Sequence, residues 1–318
     1  MHDWFASSAD DNPPVRVFKF GGTSVGEAEP LQNAAGILQD AVVDCQPVVV
    51  VSAAAGVTDD LVRAAADSRG DRATANAWVR DIGRHYRTLA QDVLGDAPAC
   101  TQYETVLKAE LSELRRALQT ARSIDGAARD AVLASGERLM APLFAAVLNT
   151  EGCPAQPVDA TALLRTDDTH GDATVQWTET KTRIQEWFAE FSTDPSSLVV
   201  PVITGFIGST TDGTTTTIGR GGSDLSAAVI ARAMDAERLE RWTDVEGLYT
   251  RDPATHPDAQ QLDELDFEQA RTWTKAGRLG MHPSTLDPLA SADIPVHVRC
   301  TYHPDAPGTR IIPAVPAR

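Results

Sequence analysis

Val15-Arg16-Val17-Phe18-Lys19-Phe20-Gly21-Gly22-Thr23-Ser24 is the stretch that decides the fold. A β-rich run ends in a glycine pair, which reads as a strand passing into a tight turn. Leu31, Ala35, Leu38 and Val42 then recur at helical spacing. Pro47 reads as the stop of that helix. Val48 to Val51 follow as an unbroken β-branched run, the pattern of a strand covered on both faces. Strand, helix and strand in this order make a right-handed βαβ unit.

Outward from this unit, residues 1–14 read as a flexible tail. Residues 59–134 are helical in pattern, and Val132 to Asn149 read as a helix broken near Ser135-Gly136. A short strand is expected to end near Asp159, followed by a polar loop over 165–174 and a helix over 178–192. Trp187, Phe188 and Phe191 on that helix read as core. Leu198 to Ile203 predict a strand, and Thr211-Asp212-Gly213 with the threonines behind it predict a hairpin. Asp224 to Met234 read as a helix, Arg238 to Thr243 as a strand, Asp263 to Lys275 as a helix and Ile294 to Arg299 as the closing strand. The alternation predicts an α/β fold, a three-layer αβα sandwich with a mainly parallel central sheet.

Composition narrows the function. The 318 residues carry 45 acidic against 28 basic side chains, a net charge of -17. Phosphate neutralisation along a nucleic acid needs a basic face, so no nucleic-acid partner is expected. The basic residues are mostly arginine and the surplus is acidic, which leaves two readings of the composition: a heavily hydrated acidic surface suited to salt, or a GC-rich genome that favours Arg over Lys. Cys45, Cys100, Cys153 and Cys300 lack zinc-ligand spacing, and free thiols are expected. The first 14 residues hold no apolar signal segment, and no apolar run reads as membrane-spanning. A cytoplasmic protein with no membrane partner is the expectation.

The chain has four lysines, and one of them, Lys19, stands at the strand-to-glycine junction. Glycine amides approach an anion closely, and a lysine beside them adds a compact positive charge. Alone, this is more often a tight turn. Three further segments give it company: Ser52 to Asp59, Ser135 to Leu139 with Glu137, and Thr204 to Asp224 with Arg220. Loops after strands are where open α/β sheets bind ligands. A guanidinium suits a carboxylate, a carboxylate suits an ammonium, and a lysine with glycine amides suits a phosphoryl group. The glycine spacings of P-loop and Rossmann proteins are absent.

Taken together, the segments resemble aspartate kinase, of the amino-acid kinase superfamily. The matching motifs are K-F-G-G-T-S-V from Lys19, S-x-x-x-G-V-T from Ser52, G-E at Gly136, G-F-I-G at Gly205, T-x-G-R-G-G-S-D ending at Asp224, W-T-D-V-x-G-x-Y-T-x-D-P from Trp242, and H-P-x-T from His282. They run in family order from about residue 15 to residue 311. The resemblance implies one domain over 15–318, with an amino-acid lobe (about 15–200) and a nucleotide lobe (about 201–318). It implies transfer of a phosphoryl group from ATP to the β-carboxylate of L-aspartate, with Mg2+, at the entry to lysine, threonine and methionine synthesis. Lys19 would stabilise the group in flight, Gly21 and Gly22 would offer it amides, and Asp224 would orient Lys19. Ser52, Thr58 and Ser223 would position the substrate, Glu137 its α-ammonium and Arg220 its α-carboxylate. Thr243, Asp244, Tyr249 and Arg251 would line the nucleotide site. No protein side chain is expected to hold a metal on its own.

Three departures stand out. Ala254 follows the D-P of the nucleotide segment where the family has Arg, and Leu279 occupies the position of a family lysine. Arg251 and Arg278 are the nearby candidates to replace these cations, and two alternatives stay open beside the aspartate kinase reading: a kinase for a different small amino acid or carboxylate, or a non-catalytic ligand-binding partner subunit. The chain also ends about where the family's regulatory ACT domains begin, so feedback inhibition through this chain alone is not expected. A homo-oligomer and a separate regulatory chain both stay open.

Overall fold

The computed structural model describes residues 13–120, 126–191, 199–251, 255–256, 258–277 and 279–314. The chain opens with β1 (Val15–Phe20), the short α1 (Gly22–Val25), α2 (Ala28–Ala41) and β2 (Gln46–Val51). Then come α3 (Val57–Ser68), α4 (Arg72–Leu94), α5 (Pro98–Thr120), α6 (Gly126–Thr150), β3 (Ala155–Val158) and α7 (Trp177–Phe191). The second half runs through β4 (Val200–Thr204), β5 (Ile207–Ser209), β6 (Thr215–Thr217), α8 (Gly222–Ala233) and β7 (Arg238–Thr243). It ends with β8 (Glu264–Asp266), α9 (Phe267–Lys275), α10 (Leu286–Ala290), β9 (Val296–Cys300) and β10 (Thr309–Ile312). Residues 1–12 of the expected tail, Leu198, Ala254 and Arg278 lie outside the described residues.

Four boundaries differ from the sequence reading. α2 stops at Ala41, and Pro47 is the second residue of β2, near the strand start where a missing amide is tolerated. α6 runs unbroken through Ser135-Gly136. The glycine is there for close packing: a Cβ on Gly136 would fall 2.6 Å from the Ala53 Cβ. The segment from Asp263 holds β8 first, and Asp266 then starts α9 with a capping box shared with Gln269. β9 is not the last strand, because β10 returns antiparallel beside it. Trp187 and Phe188 are only half-buried, packed on the edge of the core, and Phe191 lies 5.0 Å from Trp187.

Among the described residues, eight strands form one sheet in the order β3-β4-β2-β1-β7-β9-β10-β8, and β5 with β6 forms a separate hairpin. All neighbours in the large sheet are parallel except β9 with β10. Strand alternation sends Phe18, Phe20, Val49 and Val51 into one core with α2 to α6. It sends Val17, Val48 and Val50 into a second core with α7 to α10. Burial of each such side chain stabilises by about 1.5–3 kcal/mol. α6 has the length and composition to cross a membrane, which qualifies the sequence reading; 78% of its apolar window is buried inside the fold.

β1 lies at the centre, with β2 on one side and β7 on the other. The chain therefore leaves the centre in both directions, and the loops after β1, β2 and β4 open on one rim. Such a reversal point is where a parallel sheet forms a crevice.

Candidate active site

Lys19 is the fifth residue of β1 and points to the same face as Val17, toward α8. Its side chain is almost wholly buried, and its Nζ lies 2.6 Å from Asp224 Oδ1. Asp224 sits in the first turn of α8, where a negative charge suits the helix dipole. Gly221 caps that helix at φ 73°, and a Cβ there would come within 2.6 Å of the His282 Cβ, so only glycine fits. Burial works against ionisation of Asp224, but Lys19 and Arg241 outweigh it and hold its pKa below the ordinary value. Burial lowers the pKa of Lys19, and Arg241 pushes it the same way against the pull of Asp224 and Glu137.

Glu137 enters from α6, 2% exposed. Its Oε1 accepts the amide of Ala53 at 3.0 Å, and its Oε2 is buried without a hydrogen-bond partner among the described residues. Burial pushes its pKa up to about 8, although the backbone bonds and Lys19 oppose the shift. A buried carboxyl oxygen with no partner is costly unless something arrives to satisfy it. The Gly136 contact described above sets the height of Glu137 over Ala53, and Tyr86 donates to the Gly136 carbonyl at 2.9 Å.

These side chains share a cleft of about 570 Å3. Lys19, Ser52, Thr58, Glu137, Arg220, Ser223 and Asp224 all line it, so the seven residues expected for transfer and acceptor binding converge. A larger cavity of about 710 Å3, between α5, α6 and the end of β3, holds none of them. The four nucleotide candidates do not line the cleft: Thr243 ends β7, and Asp244, Tyr249 and Arg251 follow it. Thr243 donates to Asp244 at 2.9 Å, Tyr249 pairs with Gln261 across a backbone bridge, and exposed Arg251 lies 3.9 Å from Asp258. Leu279 is buried in the second core. The Gly21 amide donates to the Trp242 carbonyl at 3.2 Å, so it ties β1 to β7 rather than standing ready for an anion. A Cβ on Gly21 would lie 3.7 Å from Lys19 Nζ, an ordinary packing distance. Gly22 heads α1, packed under the Ala53 carbonyl.

Sequence reasoning missed several residues. Arg129 and Phe206 also line the cleft. Asp130, wholly buried, accepts from Thr217 Oγ1 at 2.6 Å and from the Gly171 amide at 3.2 Å, and lies 2.7 Å from His170 Nδ1. It thus joins α6, β6 and the 165–174 loop into one wall. Arg241 bonds Asp224 from β7 at 3.2 Å. The available signal for Arg241 was a charged residue at an inward position of a strand covered on both faces.

The model of the "Amino acid kinase family" matches residues 14–300 of the chain. Lysine-sensitive aspartokinase 3 of Escherichia coli (strain K12) is 35% identical over 305 residues, covering 93% of this chain and 64% of that protein. Aspartokinase 1, chloroplastic, of Arabidopsis thaliana is 31% identical over 313 residues, covering 96% of this chain and 53% of that protein. The chain thus spans about half to two thirds of the length of these relatives. The crystal structure of E. coli aspartokinase III in complex with aspartate and ADP (R-state) superimposes with a TM-score of 0.81 at 31% identity, covering 95% of this chain and 65% of that one.

Proposed function

The chain belongs to the amino acid kinase family, and from that membership we propose that it transfers the γ-phosphoryl group of ATP to the β-carboxylate of L-aspartate. The observation that carries the reading is the convergence of Lys19, Asp224, Glu137 and Arg220 on one cleft. Its volume of about 570 Å3 suits a small amino acid with the terminal phosphates of a nucleotide. The aspartokinase relatives, one of them solved with aspartate and ADP, support the same substrate pair.

In this reading Glu137 Oε2 receives the α-ammonium and Arg220 holds the α-carboxylate. The side-chain carboxylate of the substrate is already ionised at neutral pH, so its attack needs no general base. What the protein supplies is alignment of the two reactants and stabilisation of the charge on the transferring group. Lys19, oriented by Asp224, supplies that charge. Mg2+ would be carried by the nucleotide phosphates, since a small hard cation keeps its waters and phosphate oxygens. Among the described residues no cluster of three acidic, His or Cys side chains is placed to cage it. Entry to the aspartate-derived amino acids in the cytoplasm is the role this activity would serve.

A hydroxamate assay with ATP, Mg2+ and a panel of amino acids tests the reading. Acyl hydroxamate should form with L-aspartate and disappear in Lys19→Ala, which should keep the native circular-dichroism spectrum. Product with another acid, or none with aspartate, overturns it. So does near-normal turnover by Lys19→Ala.

A further inference from the structure

We propose that Arg241 is a positioning residue of the phosphoryl-transfer centre: it grips Asp224 from the side opposite Lys19 and keeps the centre cationic. The inference rests on the kinase reading above. In the parallel pairing of β1 with β7, Lys19 stands directly opposite Arg241. Two cations on one face of neighbouring strands, about 4.8 Å apart along the sheet, repel each other. Asp224 resolves the conflict from α8. Its Oδ1 lies 2.6 Å from Lys19 Nζ and its Oδ2 lies 3.2 Å from Arg241 Nε.

The other end of the guanidinium is also held. Arg241 Nη2 donates to the Gly280 carbonyl at 2.9 Å, in the segment after α9. The fork therefore fixes both the direction and the depth of the carboxylate, and through it the Lys19 ammonium. Guanidinium keeps its proton at all accessible pH values, so the grip does not titrate away.

Charge arithmetic gives the second consequence. Lys19 and Asp224 alone make a neutral pair, which offers little to a phosphoryl group. With Arg241 added, two positive charges share one carboxylate and the trio carries one net positive charge. Arg241 does not line the cleft itself. It acts through Asp224, so its removal should change turnover more than binding of the amino acid.

The test uses the full chain with Arg241→Met, Arg241→Gln and Arg241→Lys. Turnover by Arg241→Met should fall by about tenfold to a hundredfold, the scale of one charged hydrogen bond, with the KM for aspartate little changed. Arg241→Lys should restore part of it. A second readout is independent of activity. With four lysines in the chain, carbon-13 lysine NMR gives four signals, and Lys19→Met identifies the one from Lys19. The charged groups facing Lys19 are Asp224 from α8, Arg241 from β7 and Glu137 from α6, with Asp59, Arg129 and Arg220 further round the cleft. Loss of a like charge should move the Lys19 titration to higher pH in Arg241→Met and Arg241→Gln, and Arg241→Lys should hold it near the native position. Native turnover with an unmoved titration overturns the proposal. If the native protein does not phosphorylate aspartate, the kinase reading fails and the titration alone decides about Arg241. If Arg241→Met does not fold, Arg241→Gln, which can still donate to Asp224, decides.

Discussion

Burial raises the pKa of the Glu137 carboxyl, and in the proposed reading an incoming α-ammonium would draw off its proton. Its pKa of about 8 comes first from burial, and its Oε2 has no hydrogen-bond partner among the described residues. The sign of the linkage follows. Below pH of about 8 the empty cleft holds the proton, and an incoming ammonium favours the carboxylate, so binding expels the proton. Affinity for aspartate should therefore weaken as pH falls below that value, approaching tenfold per pH unit, and level off above it. Titration calorimetry near neutral pH in two buffers of different ionisation enthalpy should count close to one proton released. No buffer dependence would refute this account, and Glu137→Gln should abolish both the release and the pH dependence. Lys19, Glu137 and Arg220 were legible as residues because each stands beside glycines in a motif, and Lys19 is one of only four lysines. The state of Glu137 was not legible, since a pKa depends on burial by segments far apart in the chain.

The element that matters most at the cleft is α6. Sequence reading breaks it at Ser135-Gly136, because glycine usually weakens a helix interior. In the fold the same glycine lets α6 press onto the turn after β2, where Ala53 bonds Glu137 at 3.0 Å. Gly136→Ala would set a methyl group 2.6 Å from the Ala53 Cβ, a contact that no rotamer relieves. We expect a loss of about 1–3 kcal/mol despite the better helix propensity of Ala, together with a raised KM for the amino acid. Denaturant unfolding and steady-state kinetics check this; unchanged stability and KM would mean the contact yields easily. β1, β2, β4 and β7 were readable from their β-rich patterns. β8 and β10 were not: they are three and four residues long, too short for periodicity to show, and the short β5–β6 pair was readable only from the Asp-Gly turn signal between its strands.

At the scale of the whole molecule, acidic side chains outnumber basic ones, 45 to 28. The net charge of -17 destabilises the compact state through self-repulsion. Many of the ion pairs on exposed helices are local, such as Arg84 with Asp81 and Arg271 with Glu268, and such pairs contribute little. Raising salt from about 0.05 M to about 1 M should screen the repulsion and raise the Tm by several degrees. A Tm that stays flat or falls would leave the Arg-rich, Lys-poor composition as a matter of coding preference. The charged centre of the cleft is assembled over long distances: Lys19 and Asp224, far apart in the chain, meet only because β1 lies at the middle of the sheet, beside β7 and under α8. The α/β class, the parallel core strands and the identity of the seven residues that line the cleft were all readable from the amino-acid order. Those follow from local patterning and side-chain chemistry. Only the tertiary structure decided which charges touch: Arg241 against Asp224, Asp130 under the cleft wall, Gly21 bonded away from the anion and Leu279 buried in the core. Strand register and helix packing set those contacts, and neither is written in any single segment of the chain.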